Sequence, residues 1–259
     1  MADFLDVLAH DAKETVRRGY YEKPVETVRV HTSLNGAIMK SKFAPVISEI
    51  KAASPSAGII RKNIEASELA KSMERGGAVG LSVLTEPTHF NGSLNTLLMT
   101  RKTVKLPILM KDIILNPVQV EAASKVGANV ILLIQGLFDR GYCEATFHEM
   151  IHLAHSRNLE VLLETHNETE FRSAVATDAD LIGINNRNLG TLNVDLSVTK
   201  QILQSNDAKG KTVISESGIS TPADIRFLHA CGARAFLVGS AFMRSGSVEE
   251  KVKELVQAL

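Results

Sequence analysis

The chain reads Ser48-Glu49-Ile50-Lys51 at one point and Ile108-Leu109-Met110-Lys111-Asp112 at another. Each stretch has the apolar character of a β-strand and ends in charged residues. Alternate residues of a strand share a face, so Glu49 and Lys51 point the same way. A charge on the buried side of a strand is costly unless it is paired or used. At the end of a strand, however, Lys111 can reach water and a substrate.

Two further strand-like runs end in the same way. Glu164 closes the run that starts at Glu160, and Glu216 closes the run that starts at Thr212. Two lysines and three glutamates at strand ends indicate a site for proton transfer on an anionic substrate. The alternative is that the lysines form structural ion pairs with Glu49 and Asp112. That alternative would be favoured for a lone strand-end lysine, but five converging charges favour a functional site.

Apolar runs of this kind alternate with helix-like stretches along the whole chain. The predicted strands are Val46–Ile50, Gly80–Leu84, Ile108–Lys111, Val130–Ile134, Val161–Glu164, Leu181–Ile184, Val213–Glu216 and Ala235–Val238. Eight strands in strict alternation with helices predict an α/β fold, a (β/α)8 TIM barrel, and a doubly wound open sheet is the alternative. Helix starts are predicted at Ser67, at Asn116 with Pro117 and at Thr221 with Pro222. The Gly127-Ala128 and Gly232-Ala233 pairs are predicted to end helices.

Residues 1–44 precede the first barrel strand and are predicted to form an N-terminal helical extension. One amphipathic helix carries Phe4, Leu5, Leu8, Ala12 and Val16, and a second is expected near Ser33–Lys40. An extension of this kind is expected to cover one end of the barrel. No Pro/Ser-rich linker divides the chain, so we expect residues 1–259 to form one domain.

Barrel enzymes place their chemistry at the carboxyl ends of the strands. The residues expected there are Glu49, Lys51, Lys111, Glu164, Asn185 and Glu216. Glycine-bearing turns follow the last two strands, at Ser217-Gly218-Ile219 and Gly239-Ser240-Ala241. Either turn alone could be an ordinary connection. Two of them on adjacent strands predict a phosphate site, because glycine lets backbone N–H groups approach an anion closely, and Ser54 and Ser56 could add hydroxyl donors.

A competing motif is His148-Glu149-Met150-Ile151-His152, which matches the H-E-x-x-H pattern of zinc peptidases. We interpret it as incidental, because barrel order puts its helix outside the strands. Phe147, Ile151 and Ala154 are expected to pack inward, and His148, His152 and His155 to form a solvated row. No metal site is therefore predicted.

Two loop residues have open interpretations. Arg187 either binds a substrate carboxylate or holds the sixth loop through Glu216 or Glu164. Phe90, in the loop after the second strand, either forms an aromatic wall over a ring substrate or anchors its own loop.

Composition restricts the class of protein. The formal net charge is +0 in a chain of 259 residues, 44% of them hydrophobic, so nothing in the charge balance favours nucleic acid or an anionic membrane as partner. Apolar stretches are far shorter than the roughly 20 residues that span a bilayer. The acidic N-terminus does not look like a signal peptide, and the two cysteines, Cys143 and Cys231, fit reduced thiols. We therefore expect a cytoplasmic protein.

From about residue 40 to its end, the chain carries an ordered set of short motifs at the predicted strands and the turns after them. They are Ile47–Lys51 with Ser54-Pro55-Ser56 and Gly58, then Ser82–Glu86, Phe90–Ser93, Met110–Asp112, Leu163-Glu164, Ile184–Leu189, Ser215–Ile219 and Val238–Ser240. As a set, these motifs resemble the indole-3-glycerol-phosphate synthase family. That family closes an indole ring in tryptophan biosynthesis. Its substrate is 1-(2-carboxyphenylamino)-1-deoxyribulose 5-phosphate, and its products are indole-3-glycerol phosphate, carbon dioxide and water.

The resemblance implies a role for each matching residue. Lys111 would be the general acid at the ribulose carbonyl, and Glu164 would act in the later dehydration. Lys51 would bind the substrate carboxylate or phosphate and would be a second residue able to transfer protons. Glu49 would orient the lysines. The remaining implied contacts are substrate hydroxyl and amine groups for Asn185 and Glu216, phosphate for Ser54, Gly218, Gly239 and Ser240, and the anthranilate ring for Phe90. The family usually has Phe where this chain has Ile113, which puts ring affinity in doubt more than activity.

This chemistry needs no cofactor, and we expect none. The partner implied is one small phosphosugar-anthranilate substrate, and we expect a monomer. The alternatives are another phosphosugar barrel such as an isomerase of the same pathway, the zinc hydrolase, and a barrel that binds without turnover.

Overall fold

A computed structural model gives the structure of residues 3–22, 26–28, 30–51, 53–54, 58–59 and 65–259, with the backbone alone at 53, 54 and 59. Eight parallel strands form a closed barrel in which the first strand pairs with both the second and the last. The strands are β1 Val46–Ile50, β2 Gly80–Leu84, β3 Ile108–Lys111, β4 Val130–Ile134, β5 Glu160–Thr165, β6 Leu181–Asn185, β7 Thr212–Glu216 and β8 Ala235–Val238. The predicted barrel is confirmed and the open sheet is excluded.

Helices surround the barrel and fill the connections between strands. They are α1 Phe4–Arg17, α2 Leu34–Lys40, α3 Ala66–Arg75, α4 Leu94–Thr103, α5 Pro117–Lys125, α6 Gln135–Asp139, α7 Phe147–Ser156, α8 Glu168–Ala174, α9 Ser197–Ser205, α10 Pro222–Ala230, α11 Ser240–Met243 and α12 Val248–Val256. A short 3-10 helix spans Tyr20–Glu22, and the two-residue strands Ala53–Ser54 and Gly58–Ile59 pair after β1. None of the described helices is both long enough and apolar enough to cross a bilayer.

Strand alternation places the charged residues inside the barrel. The apolar residues Ile47, Leu109, Leu162 and Ile214 belong to one buried cluster in the barrel interior. The apolar residues next to them in sequence, such as Val46, Met110 and Leu163, belong to a second cluster between the strands and the outer helices. Glu49, Lys111, Glu164 and Glu216 each follow an interior residue by two positions, so their side chains share its face. All four groups therefore converge at the carboxyl end of the barrel.

Helix boundaries follow the predicted caps with one exception. Asn116 and Thr221 each form a capping box at a helix start with proline at the first position, as predicted. The prediction of a cap at Ser67 is wrong. Helix α3 begins at Ala66 after Glu65, which makes no side-chain cap, and the Ser67 hydroxyl instead accepts a hydrogen bond from Thr103.

The N-terminal extension reaches both ends of the barrel rather than one. Helix α1 lies at the carboxyl end, where Phe4 and Leu8 line the central cavity. Helix α2 lies at the other end, where the carboxylate of Glu160, the first residue of β5, accepts hydrogen bonds from Leu34 N at 2.8 Å and Asn35 N at 3.2 Å. The 3-10 helix between them packs beside α5. Two helices joined by about sixteen residues can span the outside of the barrel, which a pattern of apolar spacing does not reveal.

Candidate active site

A cavity of about 390 Å³ opens at the carboxyl end of the barrel. It is lined by nearly every residue that the sequence predicted for the site: Glu49, Lys51, Phe90, Lys111, Glu164, Asn185, Arg187, Glu216, Ser217, Gly218, Gly239 and Ser240. Ser54 is the exception: its backbone pairs with Gly58, but its side chain lies outside the described part of the chain, as does all of Ser56. The volume falls within the usual range for a small-molecule site.

Lys111 lies between two buried carboxylates. Its Nζ is 3.0 Å from Glu164 Oε2 and 2.9 Å from Glu216 Oε2, and the lysine side chain is 17% exposed. Asp112, the predicted alternative partner, points away and accepts hydrogen bonds from Thr85 and Tyr21. The structural pairing of Lys111 with Asp112 is therefore wrong, because consecutive strand residues point to opposite faces.

Lys111, Glu164 and Glu216 shift one another's pKa values. Burial lowers the pKa of Lys111, but Glu164, Glu216 and Glu49 outweigh it and raise that pKa well above the ordinary value. Burial raises the pKa of Glu164, but the nearby charges of Lys111 and His166 hold it well below the ordinary value. Burial raises the pKa of Glu216, and the nearby charge of Glu164 raises it further. One ammonium cannot neutralise two carboxylates, so Glu216 is the group that readily takes up a proton.

Lys51 forms a second ion pair, with Glu49, at 2.5 Å between Nζ and Oε1. The Glu49 carboxylate is 2% exposed and the Lys51 side chain 17% exposed, so the ammonium is the part that faces the cavity. A Cβ at Gly239 would lie 2.5 Å from Glu49 Oε1. Glycine at this position therefore makes room for the Glu49 carboxylate, in addition to any role in binding an anion.

Gly183 makes room for Glu216 in the same way. It lies on β6 directly beside β7, and a Cβ there would collide with Glu216 Oε1. That oxygen is buried and has no hydrogen-bond partner among the described residues. Glu216 thus presents Oε2 to Lys111, while its Oε1 is buried against Gly183.

The loop after β6 is held by hydrogen bonds between its side chains and its own backbone groups. Asn185 donates to Glu164 Oε1 at 3.1 Å, and its Oδ1 accepts from the backbone N–H of Arg187 at 3.0 Å. Arg187 Nη1 donates to the carbonyl of Leu192 at 2.9 Å, across a single β-bridge between Arg187 and Val194. Arg187 makes no ion pair with Glu164 or Glu216, so the alternative of anchoring through those carboxylates is wrong. Arg187 lines the cavity, where the other alternative, a contact with a substrate carboxylate, stays a prediction.

The loop after β2 is organised by a buried carboxylate that sequence analysis missed. Glu86 accepts from the backbone N–H groups of Thr88, His89 and Phe90, at 2.8, 2.7 and 3.1 Å. Phe90 therefore faces the cavity from a loop that other groups hold in place. The rest of the apolar wall comes from Phe4, Leu8, Leu84, Ile113, Leu132, Ile134, Leu189, Leu192 and Leu237.

The predicted phosphate turns lie side by side. Glu216 pairs with Leu237 across β7 and β8, so the residues that follow each of them open on the same side of the cavity. Ser217 and Gly218 both have positive φ, +68° and +85°. Asn186, also missed, donates to the carbonyls of Glu216 and Ser217 at 2.9 and 3.2 Å and so holds this turn.

Arg244 is a further cavity residue that the sequence analysis missed. It follows Ser240 by four residues at the end of α11, which places it on the same side of that helical turn. The four-residue spacing is the signal that could have identified it.

Helix α7 carries the H-E-x-x-H sequence on the outside of the barrel, as predicted. Ile151 and Ala154 are buried, whereas His148 and His152 are exposed. Glu149 caps its own helix by accepting from Thr146 N at 2.8 Å. No group of His, Cys, Asp and Glu within the described residues is placed to hold a metal ion.

Comparison with known proteins agrees with this geometry. The sequence profile of the family described as indole-3-glycerol phosphate synthase matches residues 6–255. The chain belongs to this family. An indole-3-glycerol phosphate synthase of Aromatoleum aromaticum is 38% identical over 98% of this chain and 99% of its own length. One of Shouchella clausii is 40% identical over 86% of both chains.

Solved structures of lower sequence identity share the fold. The N-acetylmannosamine-6-phosphate 2-epimerase from Clostridium perfringens matches with a TM-score of 0.61 and 15% identity, over 84% of this chain and 93% of its own. A thiamine phosphate pyrophosphorylase from Pyrococcus furiosus has the same TM-score at 16% identity, over 87% and 97%. At this identity they support the barrel and say nothing about the reaction.

Proposed function

We propose that the protein is an indole-3-glycerol-phosphate synthase, a carboxy-lyase of tryptophan biosynthesis. It converts 1-(2-carboxyphenylamino)-1-deoxyribulose 5-phosphate to indole-3-glycerol phosphate, carbon dioxide and water. The observation that carries this proposal is the ammonium of Lys111, held between Glu164 and Glu216 inside a barrel of this family. Ring closure requires a proton donor at a carbonyl, and a buried ammonium whose pKa is raised stays protonated at neutral pH.

The first step forms the carbon–carbon bond of the new ring. The ring carbon that bears the carboxylate attacks the ribulose carbonyl, and Lys111 donates its proton to the oxygen that becomes a hydroxyl. Lys111 donates two of its three N–H groups to Glu164 and Glu216 in the free enzyme, so the third remains for the substrate carbonyl. Glu216 is the carboxylate that more readily takes up a proton afterwards, because its pKa is raised. We assign the later proton transfer of dehydration to Glu164, and contacts with substrate hydroxyl and amine groups to Glu216 and Asn185.

The two anionic groups of the substrate go to different walls of the cavity. The substrate phosphate is assigned to the turns at Ser217-Gly218 and Gly239-Ser240, with Arg244 as a nearby cation. The anthranilate carboxylate is assigned to Lys51 and Arg187, which both line the cavity. Apolar contacts from Phe90, Ile113 and the neighbouring leucines would hold the ring. Loss of the carboxylate as carbon dioxide restores aromaticity, and departure of the hydroxyl as water completes the indole.

Turnover tests the proposal directly. The purified protein is incubated with 1-(2-carboxyphenylamino)-1-deoxyribulose 5-phosphate, and indole fluorescence is followed with and without EDTA. We expect fluorescence to rise at the same rate in both samples. A folded protein that produces no indole signal would exclude the synthase. Loss of signal with EDTA alone would indicate a metal-dependent enzyme instead.

A further inference from the structure

His166 lies between two carboxylates just behind the active site. It follows β5 directly and comes two residues after Glu164. Its Nε2 is 3.3 Å from Glu164 Oε1, its Nδ1 is 3.2 Å from Glu170 Oε2, and its side chain is only 13% exposed. Nδ1 is hydrogen-bonded to Glu170, whereas Nε2 is within ion-pair distance of Glu164 without a hydrogen bond to it. A protonated ring is attracted to both carboxylates.

The charge of His166 follows from these neighbours. Burial lowers the pKa of His166, but the carboxylates of Glu164 and Glu170 outweigh it and raise that pKa to about 9. The imidazolium is therefore the main form at neutral pH. Glu164, at the centre, is faced by Lys111 from β3, Glu216 from β7, Asn185 from β6 and His166 from the position just after β5.

The two oxygens of Glu164 have different neighbours. Oε2 faces Lys111, whereas Oε1 faces His166 and accepts from Asn185. When Lys111 gives its proton to a substrate, Glu164 loses that positive neighbour. His166 does not line the cavity, so its charge remains beside Glu164 without contact with a substrate there.

We propose that His166 is a positioning residue whose positive charge, next to Oε1, keeps Glu164 ionised while Oε2 takes part in proton transfer with Lys111. The role rests on the proposed synthase function. It differs from a purely structural one, because Glu170 already caps the start of α8 without the ring: it accepts from the backbone N–H of His166 at 2.8 Å and from Asn167 Nδ2 at 2.7 Å.

The pH profile of turnover tests the proposal through His166→Gln, which keeps an amide donor and removes the charge. Loss of a positive neighbour raises a carboxyl pKa, usually by about 1 unit or more. The acidic limb of kcat should therefore move to higher pH by about 1 unit, and kcat should recover on the alkaline side. The matched control is His148→Gln, on the exposed face of α7, which should leave the profile unchanged.

A second measurement does not depend on turnover. In the unmodified protein, the ring nitrogens of His166 are followed by NMR as pH rises, with the signal assigned by its absence from His166→Gln. The ring should titrate near 9, and Glu170→Gln should lower that value. If the protein makes no indole, the synthase proposal fails while this titration still decides the charge of His166. If His166→Gln does not fold, the effect of Glu170→Gln identifies the signal.

Three results would overturn the positioning role. The first is a His166→Gln profile that keeps its acidic limb, whether kcat falls equally at every pH or not at all. The second is a His166 ring that titrates at or below the ordinary value of about 6.5. The third is a ring pKa that Glu170→Gln leaves unchanged.

Discussion

The ammonium of Lys111 pairs with two carboxylates, those of Glu164 and Glu216, and all three side chains are largely shielded from water. Such a group is expensive to bury, and its cost is offset only while the opposite charges remain close. The same contacts that stabilise the ammonium also weaken it as an acid. Proton transfer therefore depends on the substrate oxygen becoming basic enough, as the ring carbon attacks its carbonyl, to take a proton from this ammonium.

Replacing Lys111 with alanine removes the proposed acid and leaves the walls of the cavity. We expect kcat to fall roughly 10²–10⁴-fold, the usual contribution of a positioned acid, with a much smaller change in KM. The protein should stay folded, because Glu164 and Glu216 can take up a proton once the ammonium is gone. Kinetics beside a circular dichroism melt measure this, with the exposed Lys102→Ala as control. A folded variant with near-normal kcat would move the role to Lys51.

Gly183→Ala tests whether the space beside Glu216 matters. The added methyl group collides with Glu216 Oε1, so the carboxylate must move relative to Lys111. A displacement of about 1 Å at a reacting group can cost about 100-fold, and we expect a loss of kcat of that order. Gly246→Ala is the matched control, because a Cβ there meets nothing within 4 Å. Equal kcat in both variants would contradict the role given to Gly183.

The residues that sequence alone identified are those that obey a local pattern. Glu49, Lys111, Glu164 and Glu216 stand at strand ends, and strand parity predicts that they meet. The partner of Arg187 could not be predicted, because its contact with Leu192 depends on how the loop folds. The role of Gly183 needs the register of two neighbouring strands, and that of His166 needs two carboxylates brought together by separate elements.

Helix α7 shows how an element decides the meaning of a motif. Its buried face is made by Met150, Ile151 and Ala154, so the helix packs on the barrel with its histidines outward. His155 pairs with Asp180 at 2.9 Å, which ties the end of the helix to the turn before β6. The spacing of a motif places residues on one face, and the packing of the element determines whether that face meets a site.

The double variant His148→Ala with His152→Ala should retain turnover nearly unchanged, because neither side chain lines the cavity. The measurement is kcat for the synthase reaction together with the metal content of the purified protein. The matched comparison is Glu149→Gln, which weakens the capping box of α7 and should lower thermal stability without lowering kcat at a temperature where it is folded. Stoichiometric zinc that disappears in the histidine variant would contradict this assignment.

Across the whole molecule, the chain before β1 connects the two ends of the barrel. Helix α1 is tied to the active-site end by Arg140, which contacts Asp3 at 2.7 Å and Asp6 at 2.6 Å, and by His89, 2.8 Å from Asp11. Sequence predicted the barrel well because each strand and helix has its own pattern. It did not place the extension, because these contacts join residues more than 75 positions apart.

Arg140→Gln tests whether α1 contributes to the substrate site as a cover. The change removes the charge that holds the first turn of α1, and Phe4 and Leu8 of that helix line the cavity. Exposed ion pairs contribute at most about 1 kcal/mol each, so the two pairs of Arg140 together allow KM to rise by no more than about 30-fold. The change in kcat should be small, because Lys111 and its carboxylates belong to the barrel strands.

High salt should reduce the difference in KM between Arg140→Gln and the unmodified protein, since it screens exposed charges. Arg75→Gln, which breaks an exposed ion pair with Glu249 away from the cavity, is the control and should leave KM unchanged. A loss of kcat at constant KM would instead mean that α1 acts on the chemical step.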